Sequence, residues 1–259
     1  MSTFFKTIVW RDESGFVDEL EQVLRDTRVV HLTGVDPTRD LDAFYSKLTD
    51  ELGRIIPADE DVATGDRGNE PARWTDIRYD ADQATYFRHS STQQPLHTDT
   101  AYTSYDNDVN FFFCRTRAEL GGATTFIDGE EVYRILHKYE PEFLTELEST
   151  VVIFDKGTTE RKAKPVIQKQ NGEIWLNWNY FRVSKDNSST TRELCDRFHQ
   201  FLEDKIVKGG LITPVTLSPG ECVFFHDKHI LHGRNAFFGE RVLIKGALDF
   251  RKEEVPGQV

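Results

Sequence analysis

In the segment QPLHTDTAY, residues 94–102, a histidine and an aspartate stand two apart, His97 and Asp99. On an extended strand, residues i and i+2 project to one face, so an imidazole nitrogen and a carboxylate oxygen can be aimed at one point, as a metal ion requires. The same HxD pair also occurs on ordinary strand edges, so a third donor has to come from elsewhere. The segment CVFFHDKHILHGRNAF, residues 222–237, offers His226, His229 and His232. Two histidines and one carboxylate on one face of an octahedral ion leave three positions open, the arrangement of non-haem Fe(II) oxygenases. Zinc more often takes a tighter set of four ligands. Spacing does not choose among the three histidines.

Those residues need a scaffold that brings distant strands together. Phe16, Val17, Leu20, Val23 and Leu24 recur at helical spacing, RVVHLTGV reads as a strand closed by Gly34, and Leu41, Phe44, Leu48 and Leu52 mark a second helix ending at Gly53. Residues 57–82 are polar, punctuated by glycine and proline and without period, so they read as a long, lid-like loop. Short strand candidates dominate from about residue 84 to 251: ATYFRHS, VNFFFCRT, GATTFID, STVVIFDK, KPVIQKQ, EIWLNWNYFRV, LITPVTL, CVFFHD and RVLIKGALDF. Helices interrupt them near 130–148 and 190–207, and Asn171-Gly172 carries a hairpin signal. The pattern predicts one mainly β domain over 1–259, a helix–strand–helix opening at 1–56 leading to a jelly-roll core with added helices.

Composition narrows the function. The formal charge of −12 repels nucleic-acid phosphates and anionic lipid, and no run of about 18 apolar residues could span a bilayer. The N-terminus has no apolar signal-peptide core, so a cytoplasmic protein acting on a small-molecule substrate is expected, without nucleic acid or membrane as partner. Its cysteines, Cys114, Cys195 and Cys222, are odd in number and lack CxxC spacing, which reads as free buried thiols.

QPLHTDTAY, GGATTFIDG at 121–129, SPGECVFFHDKHILHGRNAF at 218–237 and ERVLIKGALDF at 240–250 stand in the order found in the clavaminate synthase-like and taurine dioxygenase-like Fe(II)/2-oxoglutarate oxygenases, which this chain resembles over roughly residues 85–251. The resemblance implies a double-stranded β-helix of the cupin-like type. It implies His97, Asp99 and His232 as iron ligands, and Arg241 and Thr124 as contacts of the cosubstrate 2-oxoglutarate. The turn from His232 to Arg241 is shorter than in many relatives, so Lys245, four residues on along the same strand face, is an alternative partner for the distal carboxylate. His226 and His229 are expected to lie outside the ligand set. The implied reaction uses O2 and 2-oxoglutarate to hydroxylate an unactivated C–H bond, releasing succinate and CO2. Related halogenating sites replace the carboxylate ligand by a small residue, and Asp99 argues for hydroxylation, with desaturation by the same oxidant as a variant. A 2-oxoglutarate sensor without turnover and a zinc hydrolase are competing classes, separated by succinate release under air and by dependence on 2-oxoglutarate. For the substrate, Arg73, Trp74, Arg78 and Arg88 place cations and an aromatic before the first motif, and Trp175, Trp178 and Tyr180 alternate with Asn177 and Asn179. They point to a small polar, carboxylate-bearing compound such as an amino acid.

Overall fold

The computed structural model describes residues 3–57, 72–157 and 159–251. Its centre is a seven-stranded sheet in the order Thr3–Val9, Thr27–Thr33, Cys222–Phe225, Val109–Thr116, Val242–Phe250 and Gly53–Ile56, with Thr75–Arg78 also paired to Val242–Phe250. A four-stranded sheet, Thr213–Val215, Thr124–Asp128, Ile230–Arg234 and Gln94–His97, forms the second layer. This is the double-stranded β-helix expected from the resemblance.

Period-2 alternation assigns the large sheet's side chains to two different cores. Phe111 and Phe113 face outward with Val30, Leu32, Phe224 and Ile244, where they meet Leu20, Leu24, Tyr45 and Leu48 of the helices Phe16–Asp26 and Leu41–Leu52. Phe112, Val223, Phe225 and Leu243 face inward and meet Phe126 and Ile230 of the small sheet. A third core packs the helices Gly129–Tyr139, Pro141–Ser149 and Ser189–Phe201 around Trp178, Phe154 and Leu231. All three cysteines are buried and free. No helix among the described residues is long and apolar enough to cross a membrane.

Several local expectations differ from the structure. Thr3–Val9 forms a parallel edge strand beside Thr27–Thr33, although only Ile8 of it is buried and its alternation is weak. The 57–82 loop contains the strand Thr75–Arg78, while residues 58–71 of that loop lie outside the described residues. ATYFRHS is not a strand but short 3-10 turns including Phe87–His89, because the Arg234 guanidinium donates to the carbonyls of Phe87, Ser90 and Thr92, which no strand partner bonds. The helix near 130–148 is two helices, broken where Pro141 starts the second. EIWLNWNYFRV leaves the sheet after Leu176, where the backbone swings in to bury Trp178 fully against Phe154 and Phe198. Asn171 and Gly172 both have positive φ, 53° and 84°, and turn the hairpin between Ile167–Gln170 and Glu173–Leu176.

Candidate metal centre and cosubstrate pocket

Strand register brings the first two donors together. His97 of Gln94–His97 lies directly opposite His232 of Ile230–Arg234, and their rings are 4.2 Å apart. Asp99 follows in a 3-10 turn, with its carboxylate oxygens 3.7 Å from His97 Nε2 and 3.7 Å from His232 Nε2. One ligand atom from each of the three lies within 4.8 Å of the others, the only such group among the described residues. His226 Nε2 donates instead to the Leu24 carbonyl at 2.6 Å, and His229 Nδ1 to the Ile174 carbonyl at 3.0 Å. Both histidines stand outside the cluster.

The surroundings orient the donors and set the charge of Asp99 and His232. His97 Nδ1 donates to the Pro95 carbonyl at 2.9 Å, which turns Nε2 toward the centre, where the Gln94 amide nitrogen stands 3.2 Å away. Asn110 donates to one Asp99 oxygen at 2.9 Å, and Lys245 Nζ lies 2.7 Å from the other. Burial opposes the charge on Asp99, but Lys245 and both histidines hold its carboxyl well below the usual range. Burial, followed by the neighbouring His97, pushes His232 well below the usual imidazole value. The centre is therefore an anionic carboxylate with a neutral imidazole at His232, the protonation states that metal binding requires.

Sequence reasoning missed Asp227. Its fully buried carboxylate accepts from the Asp99 and Thr100 backbone N–H groups at 2.8 and 2.9 Å and from the Thr100 hydroxyl at 2.7 Å. It also lies 3.8 Å from His232 Nδ1, a buried nitrogen with no hydrogen-bond partner among the described residues. A metal on Nε2 would leave the proton on that nitrogen, facing Asp227, as in the carboxylate–histidine–metal arrangement. Burial and the Asp99 charge push the Asp227 carboxyl up, while the N–H donors oppose the rise. An acid five residues before the distal histidine was the available signal, but nothing in the sequence says that it spans two motifs.

The cluster opens into a cavity of about 380 Å³. Arg241, Leu243, Lys245 and Ala247 line it as alternate residues at and along Val242–Phe250, and Thr124 and Arg234, paired across strands, line another part. Arg234 and Arg241 are only 4% and 5% exposed, and neither has a carboxylate partner among the described residues. Arg241 Nε donates to the Gly122 carbonyl at 3.1 Å. Burial lowers both guanidinium pKa values, to about 10 for Arg234 and about 9 for Arg241, the latter lowered further by its neighbour. Two buried cations without an acid call for an anionic ligand, because unpaired buried charge is costly. The chemistry of the donors thus fits Fe(II), and that of the arginine corner fits the distal carboxylate of 2-oxoglutarate. Lys245, the alternative partner for that carboxylate, has its Nζ 2.7 Å from Asp99.

The residues singled out for substrate are dispersed. Arg88 lines the cavity, with Nε bonded to the Asp76 carbonyl. Arg73 pairs with Asp50 and donates to Ser46 and Thr49 on the helix Leu41–Leu52, and Trp74 packs against Phe111 and Phe113 on the outer face of the large sheet. Arg78 is exposed on its strand. Nearness to the motif in sequence does not carry Arg73 and Trp74 into the cavity, because the outer helix and sheet face recruit them. Asn179 and Tyr180 do line it, whereas Trp175 packs on His229 and Trp178 fills the helical core.

Comparison with known proteins bears on the fold and the family. No curated protein matches the sequence. An asparagine oxygenase in complex with Fe(II), (2S,3S)-3-hydroxyasparagine and succinate superposes with a TM-score of 0.70 at 14% identity, over 91% of this chain and 79% of that one. The non-haem iron oxygenase OrfP in complex with Fe and α-ketoglutaric acid gives 0.66 at 15% identity, over 92% and 80%. A putative α-ketoglutarate-dependent taurine dioxygenase from Burkholderia xenovorans gives 0.67 at 13% identity, over 97% and 88%. At such identities the likeness concerns the fold. The sequence itself matches the family described as taurine catabolism dioxygenase TauD, TfdA over residues 6–248, so the chain belongs to that family of non-haem Fe(II)/2-oxoglutarate-dependent dioxygenases.

Proposed function

We propose that this enzyme hydroxylates an unactivated C–H bond of a small polar substrate bearing a carboxylate, a free amino acid or a derivative of one, converting 2-oxoglutarate to succinate and CO2. The observation that carries the reading is the shared cavity, in which three metal donors stand beside two buried guanidinium groups that have no acid partner among the described residues. His97, Asp99 and His232 would hold Fe(II). Arg241, with Thr124 beside it, would take the distal carboxylate of 2-oxoglutarate in a charge-assisted pair. Iron and 2-oxoglutarate, when bound, supply the activation of O2 that the side chains lack.

The chain's own contribution is placement. Asn110 and Lys245 fix the rotation of the Asp99 carboxylate, Asp227 fixes the backbone beneath it, and Leu96, Phe112 and Leu243 give the cavity apolar wall that keeps water from competing with substrate. Asp99 as a carboxylate ligand favours hydroxylation over halogenation. The amino-acid class draws support from the asparagine oxygenase and from OrfP, whose structures hold hydroxylated asparagine and arginine. Three free buried thiols suit a reducing cytoplasm.

The test is an anaerobic titration of the metal-free protein with Fe(II) and then 2-oxoglutarate. A visible metal-to-ligand charge-transfer band is expected in the wild type and absent from His97→Ala and His232→Ala. Folded wild-type protein that binds both without the band, or that releases no succinate under air with any amino acid, would overturn the reading.

A further inference from the structure

The cavity has a second positively charged wall, away from the cosubstrate corner. Following the chain from Gln94, which lies opposite Arg234, the wall passes His97 and Asp99 and reaches Tyr102. The Thr98 N–H bonds the Trp178 carbonyl at 2.6 Å, which lays the segment 178–182 beside this stretch. There the Arg182 guanidinium lies 5.4 Å from the centre of the Tyr102 ring, and Lys156 Nζ lies 5.8 Å from it. Lys156 and Glu160 are register partners across the hairpin Val151–Lys156/Glu160–Pro165 and carry opposite charges, so Arg182 supplies the net positive charge of this wall.

The other cavity arginines and Lys245 are engaged elsewhere: Lys245 is on Asp99, Arg234 donates to three carbonyls, Arg241 donates to the Gly122 carbonyl, and Arg88 Nε donates to the Asp76 carbonyl. Arg182 has no carboxylate partner among the described residues, and the Tyr102 face holds its planar group in place while leaving its N–H edge for a ligand.

We propose that Arg182, laid on Tyr102, binds the carboxylate of the substrate at the side of the metal centre away from Arg241, so that substrate and cosubstrate anions occupy separate walls. The proposal rests on the oxygenase reading and deepens it. It makes Arg182 the residue that selects an acid over its neutral amide.

The test uses full-length protein loaded with Mn(II) and 2-oxoglutarate, which does not turn over, titrated calorimetrically with the protein L-amino acids and with the primary amide of each. In the wild type at least one acid is expected to bind about 10–100-fold tighter than its amide, the worth of one charge-assisted pair. That ratio should fall toward one in Arg182→Gln and return in part in Arg182→Lys, with thermal melts reporting whether each variant is folded. Amides that bind as well as acids, a preference that survives Arg182→Gln, or no acid binding at all to loaded protein would overturn the proposal. Failure of the underlying reading looks different: the Fe(II)/2-oxoglutarate charge-transfer band is then missing before any amino acid is added.

Discussion

Asp99 shows how a ligand can also be part of the protein's internal charge balance. As a cavity-facing residue it contributes little apolar burial, and from sequence its loss is expected to spare the fold. The 2.7 Å pair with Lys245 changes that expectation. Asp99→Ala should abolish iron-dependent succinate release and also destabilise the apoprotein by about 1–3 kcal/mol, less than a fully buried unpaired charge costs because part of Lys245 faces the cavity. Adding Lys245→Met should recover most of that stability without recovering activity, which urea melts of the single and double variants would show. Arg241→Ala should weaken 2-oxoglutarate about 10–100-fold, as loss of one charge-assisted pair does, read from the charge-transfer titration. The same loss in Lys245→Ala with Arg241→Ala silent would show that the lysine is the carboxylate partner.

Among the elements, two connections matter more than any strand. Asp227, in the turn between Cys222–Phe225 and Ile230–Arg234, ties the backbone after His97 to the strand of His232. Asp227→Ala should weaken Fe(II) about 10–100-fold, the usual cost of losing a group that orients a metal ligand. Asp227→Asn, which keeps an acceptor oxygen, should fall between, and calorimetry with Fe(II) under argon separates the three proteins. The Gly121-Gly122 turn is the second connection. Gly122 has φ 73°, its carbonyl accepts from Arg241, and a Cβ there would lie 3.0 Å from Arg241 Cδ. Gly122→Ala should therefore cost about 1–2 kcal/mol of left-handed strain and weaken 2-oxoglutarate as well, because relief of the contact displaces the guanidinium. A melt together with a cosubstrate titration checks both.

For the whole molecule, His226 and His229, the two further histidines of the segment that carries His232, contribute to a pH dependence of stability. His226 is lowered by burial, and His229 is lowered by burial and by Arg28 to about 4. Their surroundings are the Leu24 and Ile174 carbonyls, Arg28, Glu173, Asp108 and the Phe250 ring. Depressed folded-state values mean that the unfolded chain takes up protons first as pH falls below about 6.5. Their contribution is complete above that pH and is lost progressively toward about 4. The urea midpoint of the apoprotein should fall between pH 6.5 and 5, and the fall should be shallower in His229→Gln, with the comparison removing the share due to other groups.

The amino-acid sequence determined the class of fold and the chemistry available to it, because period-2 and period-3.6 patterns, turn glycines and the HxD spacing are local properties. It made His97/Asp99 legible as a bidentate pair, while the residues alone left three histidines open and the family resemblance pointed to His232. Tertiary structure decided what depends on register between strands far apart in the chain: that His232 faces His97, that Lys245 is bound to Asp99, and that Asp227 lies under both halves of the centre. The same cause moved the substrate wall. Arg73 and Trp74, near the motif in sequence, are drawn to the outer helix and sheet face, whereas Arg182, more than 80 residues from Asp99, is folded into the cavity because Trp178 must be buried.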